Sequence, residues 1–96
     1  MNRAEVLDQL ARKKPTLVAR YGVDRLALFG STVRDAARAD SDIDILVSFD
    51  GPATSERYFG VQFFLEDLLG RPVDLVTDKA LRPELRRLIE REAVHV

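Results

Sequence analysis

Cysteine is absent from the 96 residues, and histidine occurs once, as His95. The first absence excludes a disulfide framework, a thiolate metal site and a cysteine nucleophile. The second excludes a metal site built from several histidines. No apolar run approaches the ~20 residues that a membrane-spanning helix needs. The N-terminus, Met1-Asn2-Arg3-Ala4-Glu5, carries early charge, and the apolar core of a signal peptide does not follow it. A cytoplasmic protein without membrane contact is the expectation. An excess of one charge is also missing: 15 Lys and Arg against 16 Asp and Glu leave a net charge of −1. Proteins that live on nucleic-acid backbones usually carry a basic excess, so direct nucleic-acid binding is not expected.

What is present is the balance of a globular chain. Hydrophobic residues make up 46% and charged residues 32%, enough apolar material to bury a core. The length predicts one domain over residues 1–96. Residues 2–21 read as helix, opened by an Asn2/Glu5 capping box. Val6, Leu7, Leu10 and Ala11 recur at helical spacing. Pro15 is expected to interrupt and to begin a second short helix, which carries Leu17 and Val18. Gly22 is a natural left-handed cap. Leu26-Ala27-Leu28-Phe29 then suits a buried strand. Ser31 to Ala37 has room for one or two helical turns, and residues 38–41 read as loop.

Asp42 to Phe49 alternates as a strand should, with Ile43, Ile45, Val47 and Phe49 on one side. After a turn at Asp50-Gly51-Pro52, Ser55 is expected to cap a helix from Glu56 to Leu69. Tyr58, Val61, Phe64, Leu65 and Leu68 share a face of that helix. Val73 to Thr77 reads as a third strand. Pro83 opens a last helix, with Leu85, Leu88 and Ile89 expected to face inward and an Arg86–Glu90 pair on its solvated side. Alternating strands and helices imply an α/β domain, a small mixed sheet with helices packed on it. Strand order stays open.

Three places in this pattern carry chemistry. Gly30-Ser31 sits where a strand gives way to a helical segment, where unpaired N–H groups suit phosphate and glycine lets a ligand approach the backbone. A purely steric Gly-Ser turn is the plain alternative. Asp42-Ile43-Asp44 puts two carboxylates on one face of a strand, where they repel unless a cation lies between them. Magnesium wants oxygen ligands of this kind. The alternative is a wet strand edge with two charges. Asp74 lies inside the apolar stretch Pro72-Val73-Asp74-Leu75-Val76, either as a lone strand-end charge or as a third acid. If its strand lies beside that of Asp42 and Asp44, three carboxylates can hold two divalent ions ~3.5–4 Å apart. His95 draws no catalytic reading. Tyr58, Phe59, Phe63 and Phe64 read as core and interface.

Gly30-Ser31, ten residues, then Asp42-x-Asp44 resembles the signature of the DNA polymerase β-like nucleotidyltransferase superfamily. The stretches Leu28 to Ala37, Asp40 to Val47, Val73 to Val76 and Leu81 to Val96 are similar to its minimal members over nearly the whole chain. The resemblance implies the fold of that superfamily. It implies that Asp42, Asp44 and Asp74 bind two Mg²⁺ ions and do the catalysis, and that Gly30, Ser31 and Arg34 hold the phosphates of an NTP. Many relatives have glycine where this chain has Asp35, an acid that is unfavourable beside a triphosphate.

The implied reaction moves a nucleoside monophosphate, AMP from ATP, to an acceptor hydroxyl. The chain leaves no residues for an acceptor domain, so a partner is expected. The resemblance implies an antitoxin that adenylylates a tyrosine of a HEPN-domain toxin. Two alternatives stand beside it: a non-catalytic module that neutralises the partner by contact, and an aminoglycoside-type nucleotidyltransferase acting as a homo-oligomer.

Overall fold

The computed structural model of the chain describes residues 1–34 and 41–96. Helix α1 runs from Arg3 to Tyr21. Its capping box forms as expected: Asn2 Oδ1 accepts from the Glu5 N–H at 2.9 Å, and Glu5 Oε1 accepts from the Asn2 N–H at 3.4 Å. Pro15 does not break this helix but lies inside it. Proline removes the hydrogen bond that residue 15 would donate to the Ala11 carbonyl. Pro15 and Ala11 are both exposed, so water can serve that carbonyl and the helix continues. Ala11, which shares the helical spacing of Val6, Leu7 and Leu10, is on the solvent side, as is Val18, while Val6, Leu10 and Leu17 are buried. Gly22 caps the helix at φ 70°.

Strand β1 follows at Val23–Phe29, then a short 3₁₀ turn at Gly30–Thr32. The helical turns expected to reach Ala37, and the polar residues 38–40, fall outside the described residues. Strand β2 spans Ile43–Phe49, α2 Ser55–Leu69 and β3 Val73–Thr77. The cap of α2 is Thr54 rather than Ser55: its Oγ1 accepts from the Arg57 N–H at 3.2 Å. A second 3₁₀ turn at Asp78–Ala80 precedes α3, Pro83–Glu92. The last element is β4, Val94–His95, a two-residue strand.

The sheet is mixed, in the order β3-β2-β1-β4. Strands β1 and β2 are antiparallel, β2 and β3 parallel, and β4 runs antiparallel to β1. The parallel pairing puts α2 across one face, beside α1. Val6, Leu10, Leu17, Leu26, Leu28, Ile43, Ile45, Val47, Val61 and Leu65 form the main core there. The opposite face has a smaller apolar cluster of Ala27, Phe29, Leu46 and Ile89.

Helix α3 departs most from the expectation. Ile89 alone is buried, and Leu85 and Leu88 are 48% and 58% exposed. The apolar patch beneath α3 is narrow, a cluster of Ala27, Phe29 and Leu46 with Val76, Leu81 and Ala93 at its margin. Arg86 does not reach for Glu90 but donates to the Asp78 carbonyl at 2.7 Å. No helix among the described residues is long and apolar enough to cross a membrane.

Candidate active site

Alternation along β2 decides where the acids go. Ile43, Ile45 and Val47 point into the main core, so Asp44 and the preceding Asp42 point to the other face. Strand β3 repeats the arrangement, with Val73 and Leu75 in the main core and Asp74 opposite. The parallel register places Asp44 directly beside Asp74. Asp42 and Asp74 are exposed and Asp44 is half-buried. The acids therefore lie on the thinly covered face, where water limits the cost of charge.

Asp44 is the perturbed member. Partial burial, the charge of Asp74, a hydrogen bond to Asp74 and the charge of Asp42 raise its pKa from 3.8 to about 6, while Arg34 pulls it down. Two carboxyl groups close enough to share a proton can instead share a divalent cation, which takes the proton's place and offsets their repulsion. Among the described residues, no three acidic, histidine or cysteine side chains converge into a ready-made ligand set. The structure brings Asp44 and Asp74 together, and Asp42 acts on Asp44 through its charge. The donor chemistry, oxygen only and anionic, suits Mg²⁺.

The turn after β1 completes the site. Phe29 pairs with Asp44 across the sheet, which delivers Gly30 to the acid pair. Gly30 has φ +76°, and a Cβ built there would fall 2.1 Å from Asp44 Oδ2. Glycine is required on both counts: the left-handed backbone and the space for the carboxylate. Its N–H is engaged elsewhere, donating to Glu92 Oε1 at 3.0 Å. Glu92 Oε2 in turn accepts from Arg34 Nη1 at 2.7 Å. Gly30 thus earns its place through its missing side chain rather than through a free N–H. Ser31 is half-buried in the same turn. Thr32 is 2% exposed, and its Oγ1 has no partner among the described residues.

Sequence reading missed Glu92 altogether. It lies 62 residues from Gly30 within a run of alternating Arg and Glu that reads as a solvated helix face. The one signal available was Val94-His95-Val96, an apolar alternation able to pair with a strand and so to bring Glu92 back to the sheet.

A mixed sheet with two acids in register beside a tight glycine turn is the framework of a nucleotidyltransferase. The chain belongs to the nucleotidyltransferase domain family, whose model matches residues 5–96. It is similar to the protein adenylyltransferase MntA of Thermococcus cleftensis, 38% identical over 92 residues and covering 96% of this chain and 93% of that protein. A solved minimal nucleotidyltransferase is 38% identical, with a TM-score of 0.79 over 98% of this chain and 95% of that one. A chain from the solved complex of a tri-AMPylated Shewanella oneidensis HEPN toxin with its MNT antitoxin shares the fold. It has 20% identity and a TM-score of 0.60 over 98% of this chain and 67% of that one. The protein is an enzyme of the nucleotidyl-transfer class, and its fold is that of the minimal nucleotidyltransferases.

Proposed function

We propose that the protein transfers AMP from ATP to a tyrosine hydroxyl of a HEPN-domain partner and acts as that partner's antitoxin. The observation that carries the reading is the Asp44–Asp74 pair, in register on the open face of the sheet and pressed against the Gly30 turn. The similarity to a protein adenylyltransferase supports the adenylyl group and a protein acceptor. The AMPylated toxin complex of the fold neighbour supports the partner class.

Asp42, Asp44 and Asp74 are the residues that would hold Mg²⁺. When bound, the metal supplies charge neutralisation at the phosphates and acidifies an attacking hydroxyl. Ser31 offers a hydroxyl and an N–H to the phosphates, and Arg34 a guanidinium fork. The acceptor oxygen bonds to the α-phosphorus, the bond to the β-phosphate breaks and pyrophosphate leaves. Asp74 is exposed on the open face of the sheet, where it can take the hydroxyl proton.

A second reading, neutralisation by contact alone, draws on one observation. Phe59 and Phe63 of α2 stack at 6.1 Å and are 49% and 61% exposed, a patch of the kind that marks protein contact. One experiment separates the two. The protein is mixed with its HEPN partner, ATP and Mg²⁺, and the partner's intact mass is measured. The transferase reading expects a gain of one or more AMP units that Asp42→Asn and Asp44→Asn both lose. Equal suppression of the partner by all three proteins, without a mass change, would leave the contact reading standing. AMP transfer to a free aminoglycoside and never to a protein would overturn both.

A further inference from the structure

Glu92 closes α3, and its carboxylate spans the turn after β1. One oxygen accepts from the Gly30 N–H at 3.0 Å, the other from Arg34 Nη1 at 2.7 Å. We propose that Glu92 is the positioning residue of the phosphate loop, capping Gly30 and holding Arg34 at the loop's edge with the rest of its fork directed to phosphate. The inference rests on the reading that Ser31 and Arg34 bind the nucleotide's phosphates.

The turn needs such a partner. Phe29, the residue before it, gives no side-chain cap, so the first N–H of the turn has no local acceptor. Glu92 supplies one from the far end of the chain. Its backbone is held on both sides. Three residues earlier, Ile89 packs with Ala27, Phe29 and Leu46. Just beyond, Val94 and His95 pair with Leu28 and Ala27, and the Val96 N–H donates to the Leu26 carbonyl at 3.0 Å. The carboxylate is delivered by a clamped segment, not by a loose end.

Arg34 needs it as well. Its side chain is 57% exposed, and a guanidinium on a free stem loses several rotatable bonds when it grips an anion. Held in advance, it loses fewer. Arginine carries five N–H donors and Glu92 engages one nitrogen, so capacity remains for a second anion. The contact also joins the two halves of the site. Gly30 is fixed by Glu92 on one side and meets the Asp44 carboxylate on the other.

The opposite picture has the opposite sign. Were Glu92 a resident anion that phosphate displaces, its removal would tighten nucleotide binding. The test uses the full chain, with AMP-PNP and Mg²⁺ as the probe in calorimetry and urea unfolding alongside. Glu92→Ala should weaken AMP-PNP binding about tenfold, the scale of one hydrogen bond to a charged group. Glu92→Gln keeps an oxygen for Gly30 and should fall between Glu92→Ala and wild type. In an Arg34→Ala background most of the Glu92→Ala penalty should vanish, because Glu92 works through Arg34. Tighter binding in either Glu92 variant overturns the proposal in favour of a displaced anion. An equal penalty in both backgrounds, following the loss of stability, overturns it in favour of a structural brace. No change in binding also overturns it. If Arg34→Ala alone leaves affinity unchanged, the phosphate reading of the loop fails first and the proposal falls with it.

Discussion

The face of the sheet under α1 and α2 carries Val23, Leu26, Leu28, Ile43, Ile45 and Val47, none more than 3% exposed. The other face carries Ala27, Phe29 and Leu46 in a small cluster with Val76 packed against it, and beside that cluster lie Asp42, Asp44 and Asp74. The same strands supply both faces, because successive side chains alternate. One set of residues closes the fold, and the acids among the residues between them stay near water with their charges. An acid pair can sit in a 96-residue domain only because the closed face carries most of the stability. Helix α3 fits this division. It covers the narrow apolar cluster with Ile89 and otherwise leaves the acidic half open.

That division can be broken from either side. Ile45 lies between Asp44 and Leu46 but points into the closed face, at 0% exposure. Ile45→Ala should lower stability by about 2–5 kcal/mol in urea unfolding, while the fraction that remains folded keeps its AMP-transfer rate. A rate loss without a stability loss would mean that the faces are not separable. Gly30→Ala should affect both properties at once. It places a side chain in the left-handed region and into contact with Asp44 Oδ2. A cost of about 1–3 kcal/mol is expected, together with a fall in transfer as the carboxylate is pushed aside. At the lower end of the scale, Leu88→Ser changes a residue 58% exposed on α3. Its effect on unfolding should stay within about 0.5 kcal/mol. A larger loss would show that the open face carries more of the fold than its burial indicates.

Much of this was legible in residue order, and the failures have physical reasons. Asp42-Ile43-Asp44 could be read because the alternation of one strand fixes its faces without knowledge of its neighbours. The grouping of Asp74 with Asp44 came from the family resemblance, since in residue order alone it depends on β3 lying beside β2, and the apolar run Val73-Asp74-Leu75 is compatible with any partner. Pro15 misled because the rule against proline within helices assumes an unsatisfied carbonyl, and here Ala11 and Pro15 both lie on the exposed side of the helix, where water can serve it. Leu85 and Leu88 misled because helical spacing identifies an apolar stripe but not the width of the surface under it. Glu92 was hidden in a charged run whose meaning comes only from the two residues of β4.

The central claim is that the open face holds its acids against the interest of the fold and for the sake of the chemistry. Asp44→Asn tests it most directly, through unfolding of the metal-free protein from pH 4 to 8, with AMP transfer to the partner measured on portions of the same preparations supplied with ATP and Mg²⁺. Asp44 titrates at about 6 in the folded chain against 3.8 as the ordinary value. A raised carboxyl pKa means that folding favours its protonated form. That contribution is complete below about pH 3.8 and is lost as the pH rises through about 6. For a half-exposed group the loss is on the order of 1 kcal/mol after screening. Wild type should therefore fall relative to Asp44→Asn as the pH rises, so that at pH 8 the variant is the more stable protein and transfers no AMP. A variant that is less stable at pH 8, or one that still transfers AMP, would contradict the account.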